Sequence, residues 1–173
     1  MTVLSALTAE STSHVADIGG LPVRYHDAGS ETADIGTGPG DAGTVVLLHG
    51  GGPGASSWSN FGQTMPVVAG HYRTVMMDLP GYGGTAARPA TGHFFTVAAE
   101  ALAGLLDHLG IGKAHLIGNS LGGGTAMRFA LKYPKRTGRL GASPGDPVMR
   151  RPLAGPSVPG CSGAIVLPSG LKV

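Results

Sequence analysis

The feature that most constrains this chain is a short one: the apolar run Ala114-His115-Leu116-Ile117 leads directly into Gly118-Asn119-Ser120-Leu121-Gly122, and a helical pattern, Gly123 to Tyr133, follows at once. A G-x-S-x-G stretch between a strand and a helix forces the chain through a sharp turn. Glycines on both sides of the serine are needed there, because a Cβ at either place would meet neighbouring backbone. The serine is pushed out at the carboxyl end of its strand. The helix that follows aims its unpaired N–H groups and positive dipole end at the same spot. Such a turn needs a sheet behind it and a helix packed on that sheet, so it constrains the architecture as well as the chemistry.

The rest of the chain supplies those layers. Val15 to Ile18 and Leu21 to Tyr25 flank Gly19-Gly20, a dipeptide suited to the positive φ angles of a tight hairpin. From Ala28 to Gly43 the composition turns to Gly, Ser, Thr, Asp and Pro, the signature of a mobile loop. Thr44-Val45-Val46-Leu47-Leu48 and Thr74-Val75-Met76-Met77 are continuous apolar runs of strand length, as expected for strands covered on both faces. Trp58 to Val68 has room for a short helix that begins afresh near Pro66. Ala98, Leu102, Leu105 and Leu109 repeat at helical spacing, with Thr96 as the expected N-cap and Gly110 or Gly112 as the end. Pro134 closes the last helix. Strands alternating with helices imply right-handed crossovers onto a mostly parallel sheet: an α/β fold in three layers.

Composition changes after Arg139. Between Gly138 and Val173 lie six of the 13 prolines and no aromatic residue, with Ala164 to Leu167 the one strand-like run. We therefore expect residues 1–140 to form the domain and 141–173 an irregular, disordered tail. Seven of the 12 basic residues fall between Arg128 and Arg151, but the net charge is only +2, too little for a field that would recruit nucleic acid or an anionic membrane. The single Cys161 has no partner for an internal disulfide. With no signal-like N-terminus and no bilayer-length apolar run, a cytoplasmic protein is expected, with no metal or cofactor and a small molecule as its ligand.

A second site-like segment, His49-Gly50-Gly51-Gly52-Pro53-Gly54, follows the strand Thr44 to Leu48. In folds built around G-x-S-x-G, this loop supplies one oxyanion donor and the residue after the serine supplies the other. Gly51 and Leu121 are the expected pair. A phosphate loop is the competing interpretation of a glycine run, but the Lys-Ser/Thr that would close it is missing. His49 is expected to be structural, beneath the loop. Asp78-Leu79-Pro80-Gly81-Tyr82-Gly83 is a turn, and Asp78 precedes Ser120, whereas the triad acid of this arrangement follows its nucleophile.

Together, His49 to Ala55, Trp58-Ser59-Asn60, the turn from Asp78 to Gly83 and Gly118 to Gly123 resemble, in order, the blocks of the meta-cleavage-product hydrolases of the α/β-hydrolase superfamily. These enzymes split vinylogous diketones made by ring-opening dioxygenases. The resemblance spans roughly Tyr25 to Leu140. Glu10 to Ser13, Tyr25 to Gly29 and Gly122 to Ala126 look most like the actinobacterial branch acting on a seco-steroid dienoate. The resemblance implies that Ser120 attacks the ketonised carbonyl, that Gly51 and Leu121 N–H groups hold the oxyanion, and that Gly50, Asn60 and Asn119 contact the substrate. A structural capping role for either asparagine stays open. Proline iminopeptidases and general esterases share parts of the pattern and are the enzyme alternatives. Haloalkane dehalogenases carry an aspartate where this chain has Ser120.

The departures are at the other end. The family implies a triad of Ser, then an acid, then His, yet after Ser120 the chain holds one acid, Asp146, and none of its seven histidines. The family's lid and later strands are also missing, and the match ends at Leu140, where the next strand is expected to begin. A reading-frame change with early termination would explain this. The expectation is an incomplete α/β-hydrolase fold whose 173-residue product is inactive. A ligand-binding fragment, or a chain that aggregates through an uncovered sheet, are the non-catalytic alternatives. The family's homo-oligomer is not expected of so short a chain.

Overall fold

A computed structural model of the chain describes residues 7–29, 43–87 and 92–143. Helix α1 (Ala9–Thr12) opens on a reciprocal capping box: Ser11 N–H donates to Thr8 Oγ1 and Thr8 N–H to Ser11 Oγ. Strands β1 (Ser13–Ile18) and β2 (Leu21–Ala28) form the expected hairpin, registered from Ser13↔His26 to Ile18↔Leu21. Its turn is made by Gly19 and Gly20, with φ of 62° and 82°, values open to glycine at little cost.

Strand β3 (Thr44–Leu48) matches its expected bounds and is wholly buried. Helices α2 (Ser57–Phe61) and α3 (Met65–Ala69) follow, the second with Pro66 in its first turn, where a missing N–H costs nothing. Next come β4 (Arg73–Met77), α4 (Phe94–His108), β5 (Ala114–Asn119), α5 (Leu121–Lys132), a 3-10 turn (Pro134–Arg136) and β6 (Thr137–Ser143). The six strands form one mixed sheet in the order β1-β2-β4-β3-β5-β6. β3, β4, β5 and β6 run parallel; β1 and β2 are joined antiparallel to one edge.

Alternate residues of the central strands feed opposite faces. Val46, Leu48, Val75, Met77 and Leu116 pack under α4 and α5, against Leu102, Leu105, Leu106 and Phe129. Val45, Leu47 and Met76 face Met65 and the rings of Trp58 and Phe61. This is why these strands read as unbroken apolar runs. On the second face the cover thins at β5: His115 is still buried against the Tyr72 ring, but Ile117, two residues on, is 42% exposed among the described residues.

Three expectations need correction. Thr96 is not the N-cap of α4; the helix begins at Phe94, His93 is the cap residue, and Thr96 Oγ1 accepts from Arg128 Nε on α5 (3.2 Å). Helix α5 starts at Leu121 rather than Gly123, because Ser120 already occupies the cap position and the glycines of the first turn hide the start. The strand after α5 begins at Thr137, not Leu140. Leu140 is buried and registers with Leu116, and where the ladder slips between Ala114 and Leu116, His115 Nδ1 accepts the Arg139 N–H (2.8 Å). A side chain replaces a ladder bond there, a compensation invisible to local patterning. Most of the loop expected over 28–43 lies outside the described residues. So do 144–173, including the strand-like run from Ala164 to Leu167.

Candidate active site

The sheet order sets the location of the site. From β3 the chain moves to β4 on one side, then crosses back to β5 on the other, so β3 and β5 are neighbours that leave in opposite directions. A crevice at the carboxyl ends of such a strand pair is where open α/β sheets place ligands. Leu48 registers with Gly118, and the two candidate loops, 49–56 and 118–122, therefore emerge side by side.

Ser120 has φ 48° and ψ −107°, and it is the only non-glycine residue with positive φ among the described residues. Conformations of this kind cost about 1–3 kcal/mol and persist only where surroundings enforce them. The enforcement is visible at Gly122, where an added Cβ would run into the carbonyl groups of Leu48 and His49. α5 thus starts hard against the end of β3, leaving the chain no gentler path. Although Ser120 stands where serine usually caps a helix, its hydroxyl makes no capping bond. Among the described residues Ser120 Oγ has no hydrogen-bond partner, and the residue is partly exposed.

The oxyanion candidates come together. A Cβ on Gly51 would lie 3.4 Å from Leu121 Cδ2 and 3.2 Å from Tyr82 Oη. The Gly51 N–H has no partner among the described residues, and the Leu121 N–H opens α5, so it has no acceptor one turn back. Two backbone donors beside a serine hydroxyl at a helix start can stabilise an oxyanion.

Gly50, Asn60 and Asn119 also converge. Asn60 Oδ1 accepts the Gly50 N–H (3.0 Å) and, more weakly, Asn119 Nδ2 (3.4 Å). The Gly50 donor fixes which end of the Asn60 amide is oxygen. The asparagine carbonyl therefore holds the glycine loop, leaving its NH2 end, 3.4 Å from Ser59 Oγ, for other partners. This is the structural role left open for Asn60.

His49 lies fully buried under the loop, with both ring nitrogens engaged: Nδ1 is 2.7 Å from Gly50 O and Nε2 accepts the Leu79 N–H (2.9 Å). Burial pushes its pKa below the usual 6.5. His26, beneath α1, is lowered for the same reason. Asp78 is buried and ties three segments, accepting from Ser57 N–H (2.7 Å), Ser57 Oγ (2.6 Å) and Gly84 N–H (2.8 Å). Ser57 and Tyr82 carry no local signal that would have marked them; only the fold brings them to the site. Among the described residues no His, Cys, Asp or Glu cluster could hold a metal ion, and no helix is long and apolar enough to cross a membrane.

Comparison with known proteins agrees with this fold. The family described as alpha/beta hydrolase fold matches residues 43–140. A 2-hydroxy-6-oxononadienedioate/2-hydroxy-6-oxononatrienedioate hydrolase of Burkholderia vietnamiensis is 41% identical over 150 residues, covering 84% of this chain and 49% of the relative. A 2-hydroxy-6-oxo-6-phenylhexa-2,4-dienoate hydrolase of Burkholderia cepacia is 46% identical over 143 residues, covering 81% and 46%. The solved meta-cleavage product hydrolase of Pseudomonas fluorescens IP01 superposes with a TM-score of 0.63 at 32% identity, over 76% of this chain and 46% of that one. The chain spans about half the length of the curated relatives it matches. The chain therefore belongs to the α/β-hydrolase family, and its relatives are named meta-cleavage product hydrolases.

Proposed function

We propose that this chain carries the nucleophile half of a serine hydrolase that cleaves a carbon–carbon bond in a 2-hydroxy-6-oxo-dienoate, a small-molecule product of aromatic or steroid ring opening. The observation that carries the reading is Ser120, held at φ 48° with its hydroxyl unpaired among the described residues and followed directly by Leu121, whose side chain closes on Gly51. In this reading Ser120 Oγ adds to the ketone carbon of the ketonised substrate and loses its proton to a base. The carbonyl electrons move onto oxygen, to which the Gly51 and Leu121 N–H groups donate hydrogen bonds. Collapse restores the C=O and breaks the C–C bond, whose electron pair leaves as a dienolate that takes up on oxygen the proton Ser120 gave to the base, and water then frees the acyl group from Ser120. Gly50, Asn60 and Asn119 line the polar end of the substrate. The names of the relatives support this substrate class. The seco-steroid branch is the finer part of the proposal, and it rests on the segments 10–13, 25–29 and 122–126.

The described residues supply no base in this reading. His49 gives both nitrogens to backbone groups and His115 Nδ1 is bonded to Arg139. The 173-residue chain alone is therefore proposed to be inactive, because a serine without a proton acceptor loses most of its rate enhancement. Absorbance of a coloured meta-cleavage product tests both parts. A longer protein that continues this chain through the missing half of its relatives is expected to bleach the colour, and the chain alone is not. Bleaching by neither, or equally by both, would count against the proposal.

A further inference from the structure

Tyr82 is absorbed by none of the roles assigned so far. Its backbone is pinned in two successive turns, with Tyr82 N–H donating to Leu79 O (2.9 Å) and Thr85 N–H to Tyr82 O (3.0 Å). Its ring is held edge-on between His49, 5.5 Å away between centroids, and Phe94, at 6.4 Å. Ring and backbone together leave the side chain one direction, and the hydroxyl ends 3.2 Å from the position a Gly51 Cβ would take. Tyr82 is half-buried, and its hydroxyl has no hydrogen-bond partner among the described residues. A phenol O–H and a neighbouring backbone N–H that both lack an acceptor among the described residues offer a pair of donors to an acceptor from outside.

We propose that Tyr82 Oη is a third donor at the mouth between Gly51 and Leu121, hydrogen-bonding the anionic oxygen that those two N–H groups receive. The proposal deepens the hydrolase reading and rests on it for the identity of that oxygen. A phenol suits this role because it donates one strong hydrogen bond without adding charge, and aromatic packing aims it in advance. The same packing accounts for the missing side chain at residue 51. A Cβ there would press on Tyr82 Oη and on Leu121 Cδ2 at once, closing the gap the oxygen needs.

Benzoate, whose carboxylate oxygen stands in for the oxyanion, tests this on the 173-residue chain without requiring turnover. Titration followed by NMR is expected to move the Gly51 and Leu121 amide signals and the Tyr82 Cζ signal together, with one saturation curve. Tyr82→Phe keeps the ring contacts with His49 and Phe94 and removes only the hydroxyl, so a packing role predicts no change. The donor role predicts about a tenfold rise in the benzoate Kd, as for loss of a hydrogen bond to a charged group. An unchanged Kd, an immobile Tyr82 Cζ signal in the unmutated chain, or no saturable binding would each overturn the proposal. The Cζ readout needs no variant, so a misfolded Tyr82→Phe does not spoil the test. Failure here leaves the hydrolase reading standing. Absence of dienoate turnover in the longer protein, with benzoate still bound through Tyr82, would instead remove that reading and keep the anion site.

Discussion

Two tight turns in this molecule solve the same geometric problem in opposite ways. At the hairpin, Gly19 and Gly20 take positive φ, and an added Cβ at either would meet nothing within 4 Å. The residues suit the backbone, and nothing is compressed. At the elbow, positive φ falls instead on Ser120, while Gly118 and Gly122, where glycine is needed for space, press against backbone. The first turn follows the local rules of chain geometry. The second breaks them at one residue and is held in place by the packing of α5 against β3. Strain of this kind clusters at functional sites, so the contrast singles out residue 120 for test without reference to any relative.

Four measurements would break or sharpen that contrast. The largest effect is expected from Ser120→Ala in the longer protein, where dienoate turnover should fall roughly ten-thousand-fold or more, with the thermal midpoint essentially unchanged. Retained activity would mean that the strained residue is not the nucleophile. Next is Gly122→Ala, whose new methyl would meet the Leu48 and His49 carbonyls; urea unfolding should show a loss of about 3 kcal/mol. A neutral result would mean that α5 can shift and that the elbow is not packed as described.

Acidification should produce a smaller change, spread between the elbow region and the N-terminal segment. Burial keeps His49 and His26 neutral in the folded chain, with pKa values below 6.5, so the unfolded chain takes up protons first. Their contribution is complete above pH 6.5 and is lost as pH falls through the lower native values. At His49 the proton would displace the Leu79 N–H from Nε2. Urea midpoints that do not fall on acidification through this range would contradict the assigned roles. The smallest effect belongs to the open turn: Gly20→Ala should cost only about 1 kcal/mol, the penalty of positive φ without a clash. A cost equal to that of Gly122→Ala would erase the distinction between the two turns.

Much of this is legible locally, and the exceptions share a cause. The Gly19-Gly20 turn, strand β3, the position of Ser120 and the glycine run after Leu48 are each dictated by neighbours in sequence. What escapes a local reading depends on distant partners. Thr96 resembles a cap because its hydroxyl wants an acceptor or donor, but Arg128, 32 residues on, supplies one. The start of β6 is hidden because Thr137 is followed by a glycine and a charged residue rather than an apolar run, and its pairing is completed by the His115 ring. The hold of Asn60 on the glycine loop is of this kind, its oxygen accepting the Gly50 N–H ten residues upstream. The approach of Tyr82 to Gly51 is set by the rings of His49 and Phe94, from different segments. The elbow can be read from a five-residue pattern; the wall around it requires the sheet.

The conformation at residue 120 is the most direct test. A crystal structure of the chain with benzoate is predicted to show Ser120 at positive φ, outside both helix and strand space, with its hydroxyl turned away from the N–H groups of α5. A carboxylate oxygen should lie within hydrogen-bond distance of both Gly51 N and Leu121 N. Ser120 at negative φ, with Oγ bonded to an N–H in the first turn of α5, would make it an ordinary helix cap and contradict the account.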